Sequence, residues 1–186
     1  MNIQTLYESI LEEGLSDRLF YTRSLSSLFS ILKDNQFKLS PIAEEFKRDM
    51  ALNLGKKFYL STARTRVSSY RLDNTHKGVL IELDGTKLRQ RYKGNSVDFF
   101  AGFRGKSLPE RDNYEHEDRV VTNDEYIPNA ISYITRVDIF EESYRPSEKE
   151  ISFILKKLNV PVYWYKNKQD WIVGNTMKAF NLQDMR

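Results

Sequence analysis

The run Asn113-Tyr114-Glu115-His116-Glu117-Asp118-Arg119-Val120-Val121 sets three carboxylates and a histidine directly before a short β-branched segment. Read as a strand from Glu117 to Val121, its side chains alternate, so Glu117, Arg119 and Val121 share one face while Asp118 and Val120 share the other. A carboxylate and a guanidinium then stand side by side. Glu115 lies two residues before Glu117 and can share its face, so the run reads as Glu-x-Glu entering a strand. Two carboxylates held that close repel, which favours one that donates a hydrogen bond beside one that stays anionic. The same residues also describe a solvated loop leading into an edge strand.

Around this run lie 186 residues, enough for one domain with a real core. The expected division is 1–14 as an N-terminal helix or leader and 15–186 as a single domain. With 40% hydrophobic and 30% charged residues, the composition is that of a globular, water-soluble chain. Lys and Arg number 29 against 26 Asp and Glu, and a net charge of +3 is too small to argue for nucleic acid by itself. The absence of cysteine excludes a disulfide framework, a thiol nucleophile and a cysteine zinc site, and the reducing cytoplasm is the expected compartment. His76 and His116 are the only histidines, so a multi-histidine metal centre is excluded and no metal is expected. No apolar run approaches the roughly 20 residues that span a bilayer, so no membrane partner is expected.

Ile3, Leu6, Tyr7, Ile10 and Leu11 recur at helical spacing up to Gly14. Leu19 to Thr22 reads as a strand, and Ser24 caps a helix carrying Leu25, Leu28, Phe29, Ile31 and Leu32 that ends at Asp34-Asn35. Phe37 to Leu39 is a brief strand, after which Pro41 opens a helix through Phe46, Met50 and Leu54 that Gly55 closes. Lys57 to Ser61 is the next strand and delivers Thr62, Ala63, Arg64, Thr65 and Arg66 to its end. Val79 to Leu83 is the clearest strand, with Asp84 capping a short helical turn through Leu88. Tyr92 to Asp112 reads as a long ordered loop. Beyond the acidic run, Ala130 to Phe140 reads as a strand, Ser147 with Glu150 as a capping box before a helix, and Val160 to Tyr165 as a strand. The tail places Trp171, Ile172, Met177 and Phe180 at loosely helical spacing.

Several chemistries are disfavoured. Gly102-Phe103-Arg104-Gly105-Lys106-Ser107 ends like a phosphate-binding loop, but its glycines are three apart rather than five and Pro109 follows where a helix should run. No Gly-x-Gly-x-x-Gly is present, and a serine triad would need one of two histidines in ordinary contexts. Three short pieces at strand ends remain: Tyr21-Thr22-Arg23-Ser24, Ser61-Thr62-Ala63-Arg64-Thr65-Arg66 and Glu115-x-Glu117-Asp118-Arg119. Hydroxyls and arginines hold phosphate and ribose, and a carboxylate stabilises a cation, so the trio suits attack at the anomeric carbon of a nucleotide sugar. Each arginine and hydroxyl taken singly is also an ordinary surface group.

The order of these pieces resembles the ADP-ribosyltransferase family over roughly Leu19 to Phe140. Phe20-Tyr21-Thr22-Arg23-Ser24 with its following helix and strand is similar to the opening of that fold. Phe58-Tyr59-Leu60-Ser61-Thr62-Ala63-Arg64 resembles the block where arginine-class members carry Ser-Thr-Ser, and Glu115-x-Glu117 resembles the family's Glu-x-Glu. The resemblance implies an α+β fold with a split pair of small mixed or antiparallel sheets and flanking helices. It implies NAD as substrate, bound in a cleft between the sheets. Glu117 and Glu115 would be catalytic, Glu117 stabilising the oxocarbenium-like transition state and Glu115 orienting or deprotonating the acceptor. Tyr21, Thr22, Arg23, Ser61, Thr62 and Arg64 would form the NAD site, with Arg23 on the phosphates, Ser61 and Thr62 bracing the cleft, and Tyr21 where other members carry histidine. Leu11-Glu12-Glu13 before Gly14 resembles the Leu-x-Glu cleavage signal of proteins packaged in the heads of large tailed phages.

Three departures separate the chain from the arginine class: Ala63 stands at the third position of Ser-Thr-Ser, the first block has no histidine, and Arg23 is one or two residues displaced. An arginine-modifying enzyme, a DNA- or RNA-modifying one and a scaffold without catalysis all stay open. The leading expectation is transfer of ADP-ribose from NAD to a host protein or nucleic acid. The alternatives are a non-enzymatic phage virion or host-interaction protein on the same fold, and a nucleic-acid binder using Lys87, Arg89, Arg91, Lys93, Arg104 and Lys106.

Overall fold

The structure is a computed structural model and describes residues 15–42, 54–72, 78–97, 117–140 and 146–185. It opens with strand β1 (Arg18–Ser24), in which Leu19 and Tyr21 alternate with Phe20 and Thr22. Ser24 then caps helix α1 (Leu25–Asp34), its hydroxyl accepting from the Ser27 N–H at 3.2 Å, as the sequence predicts. Leu28, Ile31 and Leu32 turn inward, and Asn35 stops the helix in the left-handed region at φ 52°. Strand β2 (Gln36–Lys38) follows. Pro41 does not open a helix. It lies in a two-residue strand β3 (Ser40–Pro41), where an outer position tolerates the missing N–H. Most of the helix expected after it lies outside the described residues, as do the helix or leader at the N-terminus, His116 and Glu115.

Strand β4 (Phe58–Ala63) runs two residues further than expected, and Arg66–Leu72 forms a helix, α2, where only a strand end was expected. Strand β5 (Gly78–Asp84) is buried along nearly its whole length, because both of its faces are covered. Asp84 caps α3 (Gly85–Arg89) through the Lys87 N–H at 2.8 Å. The expected Tyr92–Asp112 loop is corrected in part: Lys93–Val97 is a strand, β6, and the residues after it are outside the described set. Gly94 is required there, since a Cβ would come within 2.1 Å of Leu15 Cγ.

The decisive strand, β7 (Glu117–Thr122), is buried at every position and pairs with β4 on one side and β6 on the other. A solvated edge strand is therefore ruled out for Glu117–Thr122, because the paired backbone on both sides removes it from the margin. After β8 (Tyr126–Pro128), Asn129 at φ 59° breaks the extended backbone, so Ala130–Tyr133 is a 3₁₀ turn and β9 begins only at Ile134 (Ile134–Phe140). The Ser147/Glu150 capping box forms as expected at α4 (Glu148–Lys157). Strand β10 (Val162–Tyr165) follows. The tail divides into α5 (Lys168–Val173), a 3₁₀ turn carrying Met177 and strand β11 (Ala179–Asn181), rather than one helix.

The class is α+β, with two sheets and flanking helices as expected, and the sheets are very unequal. Among the described residues the larger has nine strands in the order β11-β10-β9-β5-β1-β4-β7-β6, with β3 beside β4, and the smaller pairs β2 with β8. All pairings are antiparallel except β9 with β10. The large sheet is narrow at its middle: β1 and β5 register over seven pairs, whereas β1 and β4 register at one, Phe20↔Ala63. It is thus two half-sheets joined by a short bridge. The main core gathers Leu19, Tyr21, Ile81, Leu60 and Val120 from one face with Leu28 and Leu32 of α1 and Ile154 of α4. On the opposite face Phe20, Ala63, Leu80, Phe140, Tyr165 and Trp171 form a second, smaller cluster.

Candidate functional site

The β4–β7 ladder sets Ser61 opposite Arg119 and Ala63 opposite Glu117. Directly opposed residues share a face, so Ser61, Glu117 and Arg119 project together. The Ser61 hydroxyl donates to Glu117 Oε1 at 2.6 Å. Arg119, one pleat further along β7, donates from Nε to the same oxygen at 2.8 Å and from Nη2 to Oε2 at 3.3 Å. Its guanidinium lies over the Tyr59 ring, 4.4 Å from the centroid. Glu117 is 4% exposed and Arg119 6%, so the pair sits in a low-dielectric setting where an unpaired charge would be costly. The sequence places Arg119 beside Glu117 without giving it a role, and Tyr59, two residues before Ser61, is the member of the cluster that it does not assign to the site.

The other face of the same strands is held differently. Asp118, fully buried, accepts from Arg64 Nε at 2.8 Å and from the Ser16 N–H at 2.8 Å. Thr62 donates to the Asp118 carbonyl at 2.6 Å, and Arg64 reaches the Glu117 carbonyl at 3.4 Å. Thr62 and Arg64 thus brace the backbone of the Glu117 strand. On the Glu117 face, Thr22 of β1 bonds the Ser69 hydroxyl of α2. Arg66 binds the buried Asp138 carboxylate and the carbonyls of Trp171 and Ile172.

Tyr21 and Arg23 lie elsewhere. Phe20, Ala63 and Glu117 are linked through the two registers and share a face, so Tyr21 and Arg23, one residue out of step, face the other way. They line a cleft of about 540 Å³ with Ser27, Asp34, Lys38 and Tyr126. The Arg23 guanidinium lies 4.0 Å from the Tyr21 ring centroid, and among the described residues no carboxylate pairs with it. Burial pushes the Tyr21 phenol above its ordinary value, against the opposing pull of Arg23, so it stays a neutral donor at neutral pH. One element touches both places. Ser40 lines the cleft and registers with Tyr59, whose ring carries Arg119.

No family model matches the chain, and no curated protein matches it. Among solved structures it is similar to Thermus sp. 2.9 DarT in complex with NAD+. That likeness covers 89% of this chain and 92% of the other at 10% identity, with a TM-score of 0.43. No residue of this chain takes a role from it.

Two cations of the basic run are already engaged: Lys87 with the Ser132 carbonyl at 2.8 Å, and Arg89 with the Leu15 carbonyl and Asp17. Among the described residues no cluster of His, Asp or Glu could hold a metal ion. No helix among them is long and apolar enough to cross a membrane.

Proposed function

We propose that this chain is an NAD-dependent mono-ADP-ribosyltransferase-like protein that transfers ADP-ribose to a macromolecule of a host. The observation that carries this is the 2.6 Å bond from Ser61 to Glu117, which joins the Ser-Thr piece to the Glu-x-Glu piece in one polar cluster. An anionic carboxylate fixed in that way suits the charge that develops when a glycosidic bond to a cationic leaving group breaks. In the reaction proposed, the bond between the ribose anomeric carbon and the nicotinamide nitrogen breaks, and its electron pair leaves with neutral nicotinamide. Glu117 stabilises the positive charge left on the sugar. A nucleophile of the acceptor forms the new bond, and its proton passes to Glu115 or to water.

The cleft beside Tyr21 and Arg23 has the size of a small-molecule site but opens on the face opposite Glu117. Its volume of about 540 Å³ lies within the roughly 300–1,000 Å³ of small-molecule sites. Its cations are Arg23 and Lys38, but Lys38 already pairs with Glu125 at 3.8 Å and Asp34 lines the same cleft. The head-packaging reading rests on Leu11-Glu12-Glu13 before Gly14 and belongs to the same proposal.

The test is NAD turnover and transfer of labelled ADP-ribose by wild type and Glu117→Gln. Loss of both signals by about 10²- to 10³-fold is expected, the scale of removing one electrostatic contributor; equal signals reject the catalytic role. A second reading, a non-enzymatic interaction protein, is favoured by the placement of Tyr21 and Arg23 on the face opposite Ser61 and Glu117. It requires that calorimetry find no NAD binding.

A further inference from the structure

Glu117 has few acceptor sites left. A carboxylate offers about four lone-pair directions. Oε1 uses both of its own, one for the Ser61 hydroxyl and one for Arg119 Nε. Among the described residues Oε2 takes the longer Arg119 Nη2 bond and no other, which leaves one acceptor direction on Oε2.

Two neighbouring strands prepare this arrangement. Arg119 reaches Glu117 along its own strand, two residues away, so the pleat presets the approach. Ser61 reaches it from the directly opposed strand. Tyr59, one pleat before Ser61, supports the flat guanidinium from its face. A planar fork held over an aromatic ring fixes both carboxylate oxygens, which a lysine ammonium cannot do.

We propose that Arg119 orients the Glu117 carboxylate so that the one acceptor left, on Oε2, is presented to a sugar hydroxyl. Arg119 is then a positioning residue for the transfer reaction. The inference rests on the transferase reading above and deepens it, since the substrate must offer a hydroxyl donor rather than a second anion at this point.

The test uses the full chain with Arg119→Met and Arg119→Lys. Misplacing a reacting group by about 1 Å costs about a hundredfold, so Arg119→Met should lower NAD turnover by about that factor. Arg119→Lys keeps a charge without the fork and should recover about tenfold of it. NAD affinity by calorimetry should stay within about threefold of wild type, because the effect falls on the transition state and not on ground-state binding. Wild-type turnover in Arg119→Met overturns the inference. So does a loss of NAD affinity that matches the loss of turnover, because Arg119 would then be a ligand contact or a support of the fold.

A thermodynamic cycle on unfolding, with Glu117→Gln, Arg119→Met and the double variant, separates the two levels of reasoning. A coupling of about tenfold in the unfolding constant is expected for charges in contact, and a coupling below about twofold overturns the placement of Arg119 on Glu117. A wild-type protein that neither binds nor turns over NAD overturns the transferase reading, and with it any role in transfer. The cycle still reports separately whether Arg119 holds Glu117.

Discussion

Asp118→Asn removes a buried charge at almost constant shape, and its cost follows from the contacts of the carboxylate. The carboxylate is fully buried and accepts from Arg64 Nε and from the Ser16 N–H, each at 2.8 Å. An asparagine keeps one oxygen acceptor but turns an NH₂ toward whichever donor loses it, so two donors meet. Breaking a buried ion pair by removing one partner costs about 3–5 kcal/mol. Here part is recovered, because the Arg64 side chain is 25% exposed and regains some hydration. The displaced Ser16 N–H adds back a penalty of roughly 1–3 kcal/mol for a buried donor without an acceptor. A net loss of about 3–4 kcal/mol is expected, a large share of the roughly 5–15 kcal/mol that holds a domain together. Urea unfolding measures it as a lower midpoint at unchanged slope. Arg64→Met should cost at least as much, since it strands the fully buried anion rather than the partly exposed cation, and should leave NAD affinity intact. A cost below about 1 kcal/mol for Asp118→Asn, or an Arg64→Met protein of normal stability that no longer binds NAD, would refute the assignment of Arg64 to the strand's support.

Two further outcomes test other parts of the fold. Gly174 has φ +70°, and a Cβ there would meet Arg66 Nε at 2.8 Å, the side chain that holds Asp138. Gly174→Ala should therefore cost about 2–3 kcal/mol from left-handed strain of about 1–2 kcal/mol and disturbance of that pair, read as a Tm lower by about 4–12 °C. The Tyr21 phenol is raised above its ordinary value by burial, so its contribution to stability is fully present below the free phenol value of about 10 and is lost as pH rises through the folded one. Urea midpoints of wild type and Tyr21→Phe should keep a constant difference up to about pH 10, after which wild type loses ground. Midpoints that stay parallel at higher pH would place the phenol in water.

Local chemistry was legible from residues that act on near neighbours. Ser24, Asp84 and the Ser147/Glu150 box each cap the helix that follows, because a side-chain oxygen need only reach a backbone N–H three residues on. The alternation in Glu117–Val121 likewise put Glu117 beside Arg119, since a pleat needs no partner strand to define its two faces. Two segments take from a distant element a conformation that their own residues do not announce. Lys93–Val97 extends because β7 offers a ladder, and Pro41 extends because Phe58 lies alongside.

By itself, then, the sequence determined which residues alternate, where helices begin, and that a carboxylate and a guanidinium would be neighbours. Only the tertiary structure decided what those faces meet. It brought Ser61 to Glu117 across 56 residues, turned Arg64 onto Asp118, and buried the acidic strand between two others. It also set Tyr21 and Arg23 on the opposite face, through the single Phe20↔Ala63 pair. The reason is register: alternation is a property of one strand, but which face of one joins which face of the next changes with a slip of one residue.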